Sequence, residues 1–234
     1  DHEPVAFPRG GKLLHRVDDL LASLQALHGE LRIDELLSSH TTIRVGGPAD
    51  AFFLPTSIGS LAEAISISRD QGVPYFILGR GSNVLFSDSG YRGLIISTGW
   101  LTACTVSDGH LSANCGTPLV KLISEANAHG VHSLDFLVGI PGTLGGALAM
   151  NAGIKAQSIG EIVEKVTVLS DDGTVVSIDR DACGFSYRAS AILESRLPIL
   201  RAQLRLDEEK FDRDQLLARR AVTQPHAFPS AGCA

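Results

Sequence analysis

Residues 138–153 read VGIPGTLGGALAMNAG, and five of these sixteen positions are glycine: Gly139, Gly142, Gly145, Gly146 and Gly153. Glycine dilutes a core and loses more conformational freedom on folding than any other residue. Concentrating it beside Pro141 and the apolar run Ala147–Met150 leaves two readings: a set of tight turns, or a backbone that must approach a ligand closely. A second loop, Gly79-Arg80-Gly81-Ser82-Asn83, follows the apolar run VPYFIL and poses the same choice.

The surrounding pattern is one of short helices among many strands. Leu20, Leu21, Leu24 and Leu27 share a helical face, with Asp18 as its cap and Gly29 as its end. The polar stretch SSHTTIRVGGPAD precedes the apolar run AFFLP. Ser60 and Glu63 read as a capping box, and Gly72 as the stop of that helix. VPYFIL reads as a buried strand, and VLF and LIIS as short strands around SDSGYRG. TACTVS and HLSANC flank Asp108-Gly109, a hairpin signal. Thr117 caps a helix running to His129, with Pro118 in its first position and Gly130 at its end. Residues 163–179 form a second hairpin, 198–206 a strand, and DRDQLLARRAVTQ a polar-faced helix. Hairpins mean antiparallel pairing, so a plain doubly wound parallel sheet is excluded and the expected class is α+β. The helix of the glycine run is expected to begin near Pro141 or Gly142, with its free N–H groups favouring a phosphate.

Composition narrows the function. The 234 residues suffice for one large domain or two small ones, and 44% hydrophobic with 20% charged residues is ordinary for a globular chain. A net charge of −6 without a basic block disfavours nucleic acid. No apolar run approaches the roughly 18 residues of a membrane helix, and DHEPVAFPRGGK lacks a signal-peptide core, so no membrane partner is expected. Cys104, Cys115, Cys183 and Cys233 form no C-x-x-C pair and fit no zinc spacing. A reduced, cytoplasmic protein without a metal is the resulting expectation; oligomeric state is not set by these features.

Two phosphate motifs fail on spacing. The 79–84 loop has Val84 where G-x-G-x-x-G requires its third glycine, the 139–146 run has the wrong intervals, and no Gly-Lys-Ser/Thr occurs. The physics behind those motifs survives. Glycines let successive N–H groups converge on an anion, and Ser82 and Asn83 add polar groups. Two such loops in one chain favour a diphosphate-bearing cofactor. Gly145 and Gly146 remove side chains where a cofactor or a neighbouring strand would press on the helix.

HTTIRVGGPADAFFLP, LGRGSNVLFSDSGYRGLIIS, the 138–153 run, FSYRAS and QPHAFPSAGC occur in this order. Together they resemble the UDP-N-acetylenolpyruvoylglucosamine reductases, flavoenzymes of bacterial cell-wall precursor synthesis. The likeness covers roughly Ser38 to the C-terminus. The glycine loops alone indicate the wider FAD-binding (PCMH-type) group that includes vanillyl-alcohol oxidase, and the YR and PSAG pieces narrow it. The resemblance implies two α+β subdomains with mixed and antiparallel sheets around FAD. A division into 1–37 (N-terminal helical segment), 38–100 and 101–208 (the two subdomains) and 209–234 follows. Gly79, Arg80, Gly81, Ser82 and Asn83 would embrace the FAD diphosphate. Gly139, Ile140, Pro141, Gly142, Thr143, Gly145, Gly146, Asn151, Ala152 and Gly153 would form the opposite wall. Thr42, Arg44, Gly46 and Gly47 would belong to a further flavin-contacting segment.

The reaction implied is NADPH-dependent reduction of the enol ether of a UDP-sugar. It demands a cation for developing carboxylate charge and an acid to deliver a proton. Arg188 matches the family's catalytic arginine and Tyr187 a substrate contact; read alone, they are a surface arginine beside a core tyrosine. Cys233 stands where the family usually has a proton-donating serine; read alone, it is a frayed-end residue. The resemblance implies that a C-terminal substrate domain carrying a catalytic glutamate would begin at this point, so the chain is expected to be a fragment or a short form. The stretch from Gly153 to Tyr187 carries no long insertion with a substrate-clamping tyrosine, resembling the branch without that loop. Alternative functions are a non-catalytic FAD- or nucleotide-binding module and an FAD-dependent alcohol oxidase.

Overall fold

The computed structural model describes residues 19–208 and 211–223. Asp18, Cys233 and the PSAGC segment lie outside the described residues. A helix that includes residues 19–25 (α1) leads into strand β1, Gly29–Leu36, and a single 3₁₀ turn, Leu37–His40. Leu20 and Leu24 of α1 are fully buried, with Leu21 and Leu27 packed beside them. Gly29–Leu36, grouped by the sequence reading with an N-terminal helical segment, is thus a strand; its pairing with β2 decides this where its local pattern does not.

Strand β2, Pro48–Pro55, is followed by helix α2, Ile58–Asp70, and strands β3, Tyr75–Leu78, and β4, Tyr91–Ser97. These strands form a mixed sheet in the order β1-β2-β4-β3, antiparallel between β1 and β2 and parallel elsewhere. α2 is capped by Ser57, whose hydroxyl accepts from the N–H of Ser60 at 3.0 Å. The cap therefore lies one turn earlier than the Ser60–Glu63 box suggested, and Ser60 is buried in the helix. Residues 84–86 are not a strand either. β3 and β4 are parallel, so residues 79–90 must carry the chain back along the sheet and cannot join its ladder there.

The second sheet is antiparallel throughout, in the order β5-β6-β9-β7-β8. Its strands are Cys104–Ser107, His110–Asn114, Val163–Leu169, Val175–Asp179 and Ile199–Arg205 for β5 to β9. Asp108 and Gly109, both at positive φ, close the β5–β6 hairpin as their types require. Between β6 and β7 lie helices α3, Leu119–Ala128, α4, Leu144–Ala149, and α5, Ile159–Ile162. Pro118, not Thr117, precedes α3 as its cap; the Thr117 hydroxyl instead donates to the Ala103 carbonyl at 3.1 Å. Helices α6, Ala191–Glu194, and α7, Arg213–Thr223, complete the order.

Phe52 and Phe53 explain how the sheets are joined. Adjacent strand residues point to opposite faces, yet both rings are fully buried. Phe53 lies in a core shared with Ile65 of α2, Leu122 of α3, Leu148 of α4 and Leu204 of β9. Phe52 lies in a smaller cluster with Leu37, Leu54, Leu78, Phe86 and Ile95. Covering β2 and β4 on both faces accounts for their unbroken apolar runs. Leu37 and Phe86 come from loop segments, so the second cluster also pins those loops to the sheet. Arg69 of α2 adds a polar tie between the sheets, donating to the Ser170 carbonyl beyond β7 at 2.6 Å.

Two outcomes test this packing. Phe53→Ala should cost about 3–5 kcal/mol in urea unfolding; a loss below ~1 kcal/mol would contradict its central place. Burial pushes the thiols of Cys104 and Cys183 up to about 11 and that of Cys115 up to about 12. With thiolate so disfavoured, all three should resist iodoacetamide in the native protein at about pH 8 and react after denaturation, as read by peptide mass.

Candidate cofactor-binding site

Three segments distant in sequence meet around the loop that leaves β3. The Gly79–Asn83 loop leaves β3, and its Gly81, at φ +63°, abuts the backbone of His40 and Thr41 so closely that a Cβ would overlap the His40 carbonyl. The backbone N–H and hydroxyl of Thr42 both donate to the Gly81 carbonyl, at 3.0 and 3.3 Å. Arg44 is exposed at φ +57° in a turn held by its own N–H to the Thr41 carbonyl. Gly46 and Gly47 are buried joints: the space beside Gly46 is taken by Leu37 and Phe86, and that beside Gly47 by Asp88 and Gly90.

The glycine run approaches the same loop from the other side. A Cβ on Gly79 would stand 2.6 Å from the Thr143 hydroxyl, and one on Gly142 would stand 3.2 Å from the Ser82 hydroxyl. α4 starts at Leu144 with Thr143 as its cap, later than Pro141 or Gly142. Its first N–H groups are not free as expected. Leu144 donates to the Thr117 carbonyl at 2.9 Å and Gly145 to the Cys115 carbonyl at 2.8 Å, because residues 142–145 lie alongside 115–119. The helix has only six residues, so its dipole is small. The available donors are in the loops instead. Among the described residues, none accepts from the backbone N–H of Arg80, Ser82 or Asn83, nor from that of Gly142, Thr143 or Gly146.

The paired glycines separate into two roles. A Cβ on Gly145 would press on Cys115 at 3.1 Å, whereas the nearest atom to one on Gly146 is the Thr143 hydroxyl at 3.8 Å. Gly145 lets the helix pack on the second sheet; Gly146 is exposed, with no tight neighbour among the described residues. A chain passing over α4 there would meet backbone without side-chain obstruction.

Two further regions flank this centre. Beyond Gly139–Gly142 lies a cleft of about 550 Å³, lined by Arg80, Val120, Ile123, Asn127, Leu137 and Arg213 among others. Ile140 and Pro141 stand on its rim, and Arg220 of α7 lies against Gly139, 3.4 Å from its carbonyl. The sequence reading missed this wall; its one signal was Val120, which falls off the buried face of α3 and is exposed. At the other end of α4, the amide of Asn151 donates to the Ser186 carbonyl at 2.8 Å and accepts from Gly160 at 3.0 Å. Ala152 donates to Ala147, and the space at Gly153 is filled by Gln157 and Ser158, so the NAG turn is an internal joint. Through Asn151 it holds the turn carrying Tyr187 and Arg188. Ser186 and Ala189 bridge that turn, Arg188 adopts φ +57°, and both side chains are exposed, Tyr187 at 91%. Tyr187 is therefore not a core residue.

Among the described residues, no group of three or more His, Cys, Asp or Glu could hold a metal, and no helix is long and apolar enough to cross a membrane.

A family model described as "FAD binding domain" matches residues 49–179. UDP-N-acetylenolpyruvoylglucosamine reductase 2 of Bacillus cereus is 35% identical over 209 residues, covering 87% of this chain and 68% of that protein. The reductase of Anoxybacillus flavithermus is 37% identical over 217 residues, covering 89% and 72%. The crystal structure of the Thermus caldophilus reductase superposes with a TM-score of 0.67 at 31% identity, covering 89% of this chain and 74% of that one. A chitooligosaccharide oxidase shares the fold at 14% identity, with a TM-score of 0.62 and coverage of 82% and 43%. The α+β architecture, the FAD-binding domain and the extent of these likenesses make the chain a member of the UDP-N-acetylenolpyruvoylglucosamine reductase family.

Proposed function

We propose that this chain binds FAD across the contact between its two glycine loops and reduces a UDP-N-acetylglucosamine enolpyruvyl ether to UDP-N-acetylmuramate with NADPH. The observation that carries the reading is the set of backbone donors on Arg80, Ser82, Asn83, Gly142, Thr143 and Gly146 from which no described residue accepts, gathered where the loops touch. Such donors suit a diphosphate, whose charge a preorganised backbone stabilises without reorganisation. The cleft lined by Arg80, Val120, Ile123, Asn127 and Arg213 would take the adenosine half. The flavin would lie over exposed Gly146, and at the far end of α4 Asn151 holds the Tyr187–Arg188 turn, where it would meet substrate.

FAD, when bound, supplies the hydride relay from NADPH to the enolpyruvyl carbon. The chain's own groups manage charge and proton. The Arg188 guanidinium, exposed and held at its turn, would take the substrate carboxylate in a two-pronged hydrogen bond and stabilise charge developing there. Tyr187 would lie along the sugar nucleotide. Cys233, outside the described residues, would deliver its Sγ proton to the adjacent carbon. A cytoplasmic location suits the unpaired thiols of Cys104, Cys115 and Cys183 and the supply of NADPH.

The direct test is anaerobic stopped flow: protein reduced with NADPH should be reoxidised on mixing with the enolpyruvyl sugar nucleotide. Colourless protein that takes up no added FAD would remove the reading. Arg188→Ala should lower turnover by about 10²-fold or more with FAD retained; unchanged turnover would exclude Arg188. The two glycines should part company. Gly146→Val should weaken FAD binding with little change in apoprotein stability, while Gly145→Val should destabilise the apoprotein by about 1–3 kcal/mol.

A further inference from the structure

Gly81 rests on a residue that is itself held from behind. The His40 backbone forms the surface against which Gly81 abuts. The His40 ring stacks on Phe52 with centroids 4.3 Å apart, and its Nε2 lies 2.7 Å from Glu35 Oε1. Glu35 is fixed in turn by Arg32, whose Nη1 donates to the same oxygen at 2.9 Å while its Nε holds Glu30 at 2.6 Å. His40 and Glu35 are half-buried. The next residues, Thr41 and Thr42, carry the hydrogen bonds that close the 41–45 turn and reach the Gly81 carbonyl.

We propose that Glu35 and His40 are positioning residues for the FAD diphosphate loop: the pair, braced on Phe52 and Arg32, fixes the 40–42 backbone that sets the place of Gly81. This rests on the reading that Gly79–Asn83 holds FAD. A surface ion pair with no such task would contribute little, since exposed pairs gain little over hydration. Three observations set this one apart. The ring is clamped between a carboxylate and a fully buried phenyl group; the carbonyl of the same residue meets a glycine whose place a Cβ would not fit; and no described residue accepts from the backbone N–H of that glycine's neighbours, Arg80 and Ser82. The hydrogen bond from His40 also holds the Glu35 carboxyl below the usual carboxylate range. Backbone donors act on an anion only if they are already in place, so slack of a few tenths of an ångström at His40 would be felt as lost cofactor affinity.

The test is FAD titration of the apoprotein, followed by flavin fluorescence, with the apoprotein melting midpoint measured in parallel. His40→Ala should raise the FAD Kd about tenfold and Glu35→Ala about three- to tenfold, with melting midpoints shifted by only a few degrees. The double variant should be no more than about twofold worse than His40→Ala, because the two act as one unit. His40→Gln, whose amide nitrogen can reach where Nε2 lies and still donate to Glu35, should return to within about threefold of the parent. Kd values within about twofold of the parent for both alanine variants, or additive losses, would overturn the proposal. Should His40→Ala fail to fold, Glu35→Ala and His40→Gln decide it by the same criteria. A parent that binds no FAD overturns the cofactor reading and this inference with it; a parent that binds FAD beside unaffected variants overturns this inference alone.

Discussion

The site depends on two loops from different sheets being held within van der Waals reach, Gly79 against Thr143 and Gly142 against Ser82. Neither loop has regular hydrogen bonding of its own to fix it. Each is located by what lies behind it. The 79–83 loop is set by Gly81 on the His40–Thr42 backbone, and that segment by Leu37 and Phe86 in the cluster beneath β2 and β4. The 139–146 run is set by its ladder to residues 115–119 and by Gly145 on Cys115. The shared core around Phe53 then fixes the two supports relative to one another. Because close-packed interiors transmit displacement with little slack, the gap between the loops is defined by the core itself.

This arrangement separates the work of the glycines. Gly47, Gly81, Gly145 and Gly153 are filled against by other parts of the protein, and a side chain there would push backbone apart. Gly146 is different, for among the described residues the nearest atom to a Cβ there is the Thr143 hydroxyl at 3.8 Å. Glycine at such a helical position costs about 1 kcal/mol relative to alanine, and packing among the described residues does not require it there. The loop N–H groups from which no described residue accepts are the polar counterpart.

Much of the fold was legible. The Asp108-Gly109 hairpin, the 163–179 hairpin, the 198–206 strand and the leucines of α1 follow from local pattern, because turn chemistry and side-chain periodicity act over a few residues. Three of the misreadings share one cause. VLF has the composition of a strand, but a parallel neighbour leaves it no partner. Gly29–Leu36 became a strand only because β2 pairs with it. Thr117 looks like a cap, yet its hydroxyl serves Ala103. In each, a non-local pairing, made or denied, outweighed the local preference.

The same division holds at the site. The order of glycine and polar residues in 79–83 and 138–153 determined by itself that two side-chain-poor stretches would form turns or let a ligand approach the backbone, and the YR pair singled out Arg188 only through its resemblance. Which N–H groups of those stretches no described residue accepts from was decided by the tertiary structure alone. Pairing of 142–145 with 115–119 consumed the helix-start donors of Leu144 and Gly145 and left those of the loops. The anchoring of Gly81 on His40 and of the Arg188 turn on Asn151 was decided there too. The physical reason is that conformational freedom is a property of a residue, whereas the satisfaction of a hydrogen bond is a property of two residues that only the fold brings together.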